Sequence, residues 1–277
     1  MIDIPELPAV APAGVERSRA LRATLLLDFT HPSIKALVQT RGWLQLPGRD
    51  PIAAAYAFVR DEIAFGYNKS DDLKASEVLA DGYGQCNTKS TLLMALLRAL
   101  GVPCRFHGFT IDKTLQKGAI TGVAYALAPQ RIIHSWVEVA YEGRWVNLEG
   151  FILDAPYLAS LQRRFPGRQR FCGYGAATPD LSAPGVEWRG QDTYIQKDGI
   201  ADDFGVFDSP DEFYARHGVN VKGVKRWLFQ QVVRQQMNGN VARIRNGGGM
   251  PPSSILGSGV GAASDGKDHP NSGHAVR

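Results

Sequence analysis

Three side chains of the kinds that cooperate in nucleophilic catalysis stand in the middle of the chain: Cys86, His134 and Glu149. A thiol becomes a strong nucleophile when a neighbouring base takes its proton, and the base works best when a third group orients it. Cys86 follows the loop Asp81-Gly82-Tyr83-Gly84-Gln85. It opens a stretch in which Leu92, Leu93, Leu96, Leu97 and Leu100 recur at helical spacing. Gly101 sits where a helix-ending glycine belongs and Pro103 blocks continuation, so a helix is predicted from Cys86 to Leu100. Unpaired amides and the helix dipole at such a start favour an anion, which makes a thiol there easier to ionise. The amide of Cys86 and the side chain of Gln85 are candidate oxyanion donors. Free cysteine is also among the most buried residue types; the polar Gln85 and the glycine loop weigh against that plainer reading.

The base and its partner come from a hairpin. Ile132–Ala140 and Arg144–Leu148 read as strands around a Glu142-Gly143 turn. Val139 then faces Val146 and Val137 faces Leu148, which makes one apolar face. His134, Trp136, Glu138, Asn147 and Glu149 fall on the other. Glu149 is opposite Trp136 and therefore diagonal to His134, within reach at about 7–8 Å between backbones. A slip of one residue would put the valines on the polar face, so the pattern sets the parity. Asn147, one step nearer the turn, is the competing orienter. Alone, His134 reads as a packed histidine and Glu149 as a rim carboxylate. Together on one face, downstream of a cysteine at a helix start, they read as base and orienter.

The elements that must carry these residues are less regular. Asp50-Pro51 starts a helix that runs to about Ile63, and Ser76 caps a short one through Leu79. Leu21–Phe29 reads as a strand or extended arm and Cys104–Thr110 as a strand. Ala155–Asp208, rich in Gly, Pro and Asp, reads as loops and short strands around the core. Asn220 caps a late helix that Asn238-Gly239 ends. From Gly247 to Arg277 more than half of the residues are Gly, Ser or Pro and none is aromatic, so a flexible tail is expected. The expected division is one domain over 1–246, with its core at about 50–155 and an elaboration over 156–246, followed by the tail, 247–277.

Composition sets the outer bounds. The chain has 277 residues, of which 44% are hydrophobic and 21% charged, the balance of a soluble globular protein. It holds no apolar run of membrane-spanning length and no basic-plus-apolar leader, so a cytoplasmic, non-membrane protein is expected. Three cysteines, Cys86, Cys104 and Cys172, do not make a disulfide framework. A net charge of +4 is weak support for nucleic acid, and none is expected as a partner. Cys104 and His107 form a single pair without the second cluster a zinc site needs, so no metal and no cofactor is expected. Arg163, Arg164, Arg168 and Arg170, interleaved with Phe165 and Phe171, could dock an acidic carrier protein; a solvated loop is the plainer reading. Cys172, flanked by glycine but followed by no helix, reads as structural.

Taken with their order, these blocks resemble the transglutaminase-like superfamily. The resemblance rests on Tyr83-Gly84-Gln85-Cys86, on Leu96 to Arg105, on His134-Ser135-Trp136-Val137-Glu138-Val139, and on Gly143 to Glu149. It implies an α+β fold related to papain-like proteases, with the active-site helix packed on an antiparallel sheet. It also implies Cys86 as nucleophile, His134 as base and Glu149 as the acidic third member, with an acyl-thioester on the cysteine. The third position usually holds Asp, and Asn87-Thr88-Lys89 replaces the bulkier residues often found after the cysteine. Tyr83 and Trp136 are the substrate-pocket candidates. The expected activity is hydrolysis of an amide or thioester in a peptide, protein or small acyl substrate, because no acceptor site is visible. The alternatives are a biosynthetic acyltransferase with an amine acceptor, or a binding module that keeps the fold without catalysis.

Overall fold

The helix predicted from leucine spacing is the centre of the molecule. In the computed structural model, which describes residues 14–220 and 233–248, it is α5, running from Cys86 to Ala99. It follows α1 (Gly14–Arg19), α2 (Pro32–Thr40), α3 (Asp50–Asp61), β1 (Ala64–Phe65), α4 (Ala75–Asp81) and β2 (Tyr83–Gly84). After it come β3 (Cys104–Asp112), α6 (Gly122–Leu127), β4 (Arg131–Tyr141), β5 (Arg144–Leu148), α7 (Ala155–Arg164), β6 (Phe171–Gly173), β7 (Ala176–Thr178), β8 (Ile200–Phe207), α8 (Pro210–His217) and α9 (Arg234–Arg245). The leucines predict a one-sided stripe, yet α5 is buried all round, from Cys86 to Arg98. Helices α2, α3 and α4 cover it on one side and strands β3 and β4 on the other. An α-helix enclosed in this way must satisfy its polar side chains internally.

The sheet has the order β5-β4-β3-β8, antiparallel throughout. The hairpin has the predicted register, with Val137 opposite Leu148 and Val139 opposite Val146. Its turn has positive φ at both Glu142 (46°) and Gly143 (79°), the primed geometry that matches strand twist. Strand β8 comes from the stretch expected to be loops and short strands. That stretch also holds α7, whose Asp154 caps it by accepting from the Tyr157 amide at 3.0 Å.

Three expectations are corrected, and helix α2 is new. Leu21–Phe29 forms no strand; Leu26 and Leu27 are buried, and Asp211 accepts from the Leu26 amide at 3.0 Å, so tertiary contacts hold this arm. Ser76 does not cap α4, because its amide (3.0 Å) and hydroxyl (2.6 Å) donate to Asp28, and Lys74 occupies the cap position. Asn238-Gly239 does not end the late helix, which runs on to Arg245. There Asn238 exchanges hydrogen bonds with the Tyr67 backbone at 2.7 and 3.0 Å, a tertiary clamp that outweighs the local turn signal. Helix α2 has no counterpart in the reading of the sequence; His31 caps it by accepting from the Ser33 amide at 3.3 Å. Residues 221–232, where the late helix is expected to begin, and the expected tail beyond Gly248 lie outside the described residues.

Candidate active site

Cys86 is the first residue of α5 and is 7% exposed. The loop before it is tight by necessity. A Cβ on Gly84 would fall 2.7 Å from the Thr88 hydroxyl and 2.9 Å from the Lys89 side chain, so only glycine lets β2 run this close to the first turn of α5. The three residues that depart from the family pattern each fasten that turn. Asn87 donates to Asp71 (3.0 Å) and to the Ile133 carbonyl (3.1 Å). Thr88 donates to Asn68 at 2.6 Å. Lys89, fully buried, donates to the carbonyls of Arg60 (3.2 Å) and Ile152 (3.0 Å).

His134 lies on β4 and Glu149 one residue past the end of β5, both with no exposed surface. The imidazole Nε2–H donates to Glu149 Oε1 at 2.7 Å, the diagonal contact anticipated from the hairpin. The other carboxylate oxygen accepts from the amides of Ile195 and Gln196, each at 2.9 Å. The Glu149 amide in turn donates to the Thr193 carbonyl at 3.0 Å, so a segment some 45 residues away in sequence holds the acid from both ends.

On its other side the imidazole meets the Cys86 side chain. Nδ1 makes no hydrogen bond of normal geometry, so this contact is looser than a formed S–H···N bond. Burial opposes a charge on the ring, but the Cys86 sulfur and the Glu149 carboxylate outweigh it and push the His134 pKa up to about 10. A second buried polar atom without a partner, the hydroxyl of Tyr214 on α8, lies in the field of the same sulfur and of Asp71; burial first, and those charges second, push its pKa far up. Tyr67, buried with its hydroxyl on Gln116 at 2.6 Å, also feels the sulfur.

The remaining candidates lie elsewhere. Asn147 does not meet the imidazole; it donates to the Tyr194 hydroxyl at 2.8 Å and to Asp192 at 3.4 Å. Gln85 braces the turn, accepting from the Asn68 amide (2.9 Å) and donating to Asp71 (3.2 Å). Trp136 is 1% exposed and packed against His107, Phe109 and Tyr194, so it is enclosed rather than lining an open pocket. Tyr83 is half-buried, and its hydroxyl accepts from Arg234 at 2.8 Å.

Cys104 and His107 part company: the thiol packs under the Met94 carbonyl while both ring nitrogens of His107 meet carboxylates, Glu138 at 2.6 Å and Asp203 at 2.9 Å. Phe165 and Phe171 pack on each other and on Tyr174, while the four arginines around them are exposed. A cavity of about 400 Å³ is framed by Thr178, Asp192, Tyr194 and Lys197, without Cys86 or His134 in its wall. Among the described residues no helix is long and apolar enough to cross a membrane. The groups that sequence reasoning missed are the amides of 195 and 196, Asp71, Asn220 and Tyr214. None has a local signal, because each acts across more than a dozen residues.

The fold is thus of the α+β class, with a central helix that opens on a buried cysteine and packs against an antiparallel sheet from which His134 meets Glu149. Residues 38–150 match the sequence profile of the transglutaminase-like superfamily. A solved structure of a candidate cysteine protease from Cytophaga hutchinsonii aligns with a TM-score of 0.42 at 11% identity, over 72% of this chain and 49% of the other. This chain therefore spans about half the length of that neighbour. No curated protein matches the sequence.

Proposed function

We propose that the protein is a cysteine hydrolase of amide or thioester bonds that works through an acyl-thioester on Cys86. The observation that carries the reading is the dry His134–Glu149 pair at 2.7 Å, with the free ring nitrogen turned to the Cys86 side. His134 takes the thiol proton, and Glu149 holds the ring's orientation and balances the imidazolium. The sulfur adds to the acyl carbon, the imidazolium returns its proton to the departing amine or thiol, and an acyl-enzyme remains. Water, deprotonated by the same ring, adds to the thioester and regenerates the thiol. An amine entering in place of water would give transfer; water is favoured because it needs no binding site of its own.

The test uses an activated acyl donor. p-Nitrophenyl acetate should add one acetyl group to Cys86, seen by intact-mass and peptide mass spectrometry, and the adduct should decay in buffer. Cys86→Ala should take up none while melting within a few degrees of wild type. An adduct that forms equally on the alanine variant, or none on wild type, refutes the reading. An adduct that persists in water but leaves on addition of a small amine would favour transfer over hydrolysis.

A further inference from the structure

One buried side chain outside the trio touches the surroundings of both reacting groups. Asp71, 6% exposed, sits in the loop before α4. Its Oδ1 accepts from Gln85 Nε2 (3.2 Å) and Asn87 Nδ2 (3.0 Å), the residues immediately before and after Cys86. Its Oδ2 accepts from the backbone amide (2.9 Å) and side-chain amide (3.1 Å) of Asn220, just beyond α8. Asn220 in turn brackets Ile133, the residue before His134. Its Oδ1 accepts from the Ile133 amide at 2.7 Å and its Nδ2 donates to the Ile133 carbonyl at 3.2 Å. Asn87 reaches the same carbonyl at 3.1 Å, which closes the ring of contacts.

A carboxylate that accepts four donors in a buried site is fixed in place, and charge-assisted bonds are the stronger kind. We infer that Asp71 is a positioning residue that holds the Cys86 turn and the His134 strand in register, with Asn220 as its latch on the strand. The inference rests on the proposed function, since it assigns a reason for alignment that only a reacting pair requires. It also gives the chain beyond residue 150 a role at the site, because Asn220 lies some 70 residues past the matched segment. Asp71 reaches no reacting atom itself; it acts through the backbone on either side.

The experiment measures iodoacetamide labelling of Cys86, with Cys172 as internal reference, between pH 5.5 and 9 for wild type, Asp71→Asn and Asn220→Ala, with a thermal melt of each. Misplacement of reacting groups by about 1 Å can lower rates by about a hundredfold. Both variants should label Cys86 about 10- to 100-fold more slowly at pH 6 than wild type. Their pH profiles should steepen toward that of Cys172 while the melts stay cooperative. Should Asp71→Asn fail to fold, Asn220→Ala, at a half-buried position, carries the test. A fast wild type with variant profiles superimposed on it overturns the inference and leaves the proposed function standing. Loss of the cooperative melt in both variants makes Asp71 a folding residue and also overturns it. A wild-type Cys86 that labels no faster than Cys172 at pH 6 refutes the proposed function itself.

Discussion

Lowering the pH separates an activated thiol from an ordinary one, and the three cysteines of this chain supply their own controls. An ordinary thiol with a pKa near 8.5 is about a quarter ionised at pH 8 and about 0.3% ionised at pH 6, so its alkylation slows by about 80-fold. Cys172 is exposed, with its thiol pushed up by the partial burial of its sulfur, and should follow that fall. Cys104, fully buried and also pushed up by burial, should label slowest of the three. On the proposed mechanism Cys86 gives its proton to His134, whose pKa is pushed up to about 10 by the Cys86 sulfur and the Glu149 carboxylate against the opposing effect of burial, so the labelling rate should change only a few-fold between pH 8 and pH 6. Access works against Cys86, which is 7% exposed, and could lower its rate by about tenfold relative to Cys172. A thiolate advantage of up to about 300-fold at pH 6 exceeds that handicap and the weaker nucleophilicity of a stabilised thiolate. The expected order at pH 6 is therefore Cys86 ahead of Cys172 by about tenfold, with Cys104 last, the reverse of what accessibility dictates for the first two. The assay is timed iodoacetamide labelling read by peptide mass spectrometry. A Cys86 rate that falls in parallel with Cys172 would remove the basis for a thiolate–imidazolium pair.

Three other perturbations probe the neighbours. Glu149→Gln should move the onset of Cys86 labelling to higher pH, because an imidazolium without its carboxylate stabilises the thiolate less, whereas Asn147→Ala, whose side chain bonds Asp192 and Tyr194, should leave the profile unchanged; the opposite ranking would make Asn147 the orienter. Burial lowers Lys89 to about 7 against an unfolded value near 10.5, so its penalty on folding is fully present below pH 7 and vanishes as pH rises through 10.5. Lys89→Met should thus gain about 4 kcal/mol more at pH 6 than at pH 10, read by urea unfolding, and equal shifts at both pH values would mean the ammonium is solvated. Tyr214→Phe removes a buried hydroxyl that has no partner, so the melt should hold or rise by the equivalent of about 1 kcal/mol while acetylation of Cys86 slows; unchanged acetylation would show that the hydroxyl contacts no substrate.

The pH dependence of stability has a second contributor with the opposite sign. His134 is raised in the folded chain, so its stabilisation is full below about pH 6.5 and is lost as pH climbs toward 10. Lys89 gains over much of that window. Wild-type stability should therefore be flatter between pH 7 and 10 than that of Lys89→Met, which lacks the rising Lys89 contribution.

What could be read from the sequence was what is local. The start of α5 followed from leucine spacing and the glycine–proline stop, and the hairpin register from two valine pairs around a glycine turn. Those two local facts placed His134 diagonal to Glu149 correctly. Gln85 and Asn147 shared the right segments but were claimed by other partners, Asn68 and Asp71 in one case and Tyr194 and Asp192 in the other. Competition among hydrogen-bond partners cannot be read from strand parity. The Asn238-Gly239 signal failed for the same reason, since Asn238 spends its side chain on Tyr67. The anchors of Glu149 at 195 and 196 and the Asp71–Asn220 latch join distant positions and leave no trace in periodicity.

The glutamate at the third position illustrates what distant contacts can supply. Its extra methylene gives Glu149 more rotamer freedom than an aspartate, which by itself argues for a looser acid and a weaker hold on the ring. Here one oxygen faces His134 while the other is gripped by two amides, and Thr193 fixes the backbone beneath. A side chain bound at both oxygens and at its own amide has spent that freedom on folding, before any substrate arrives. Position matters as well: Glu149 stands one residue beyond the β5 ladder, and from there the longer side chain reaches the diagonal His134 at 2.7 Å. The departure from the usual aspartate is therefore matched by a segment of chain that immobilises the longer side chain. Glu149→Asp should shorten the reach and detach one set of contacts, so the native glutamate, rather than the family's usual aspartate, should give the more persistent imidazolium in the labelling profile.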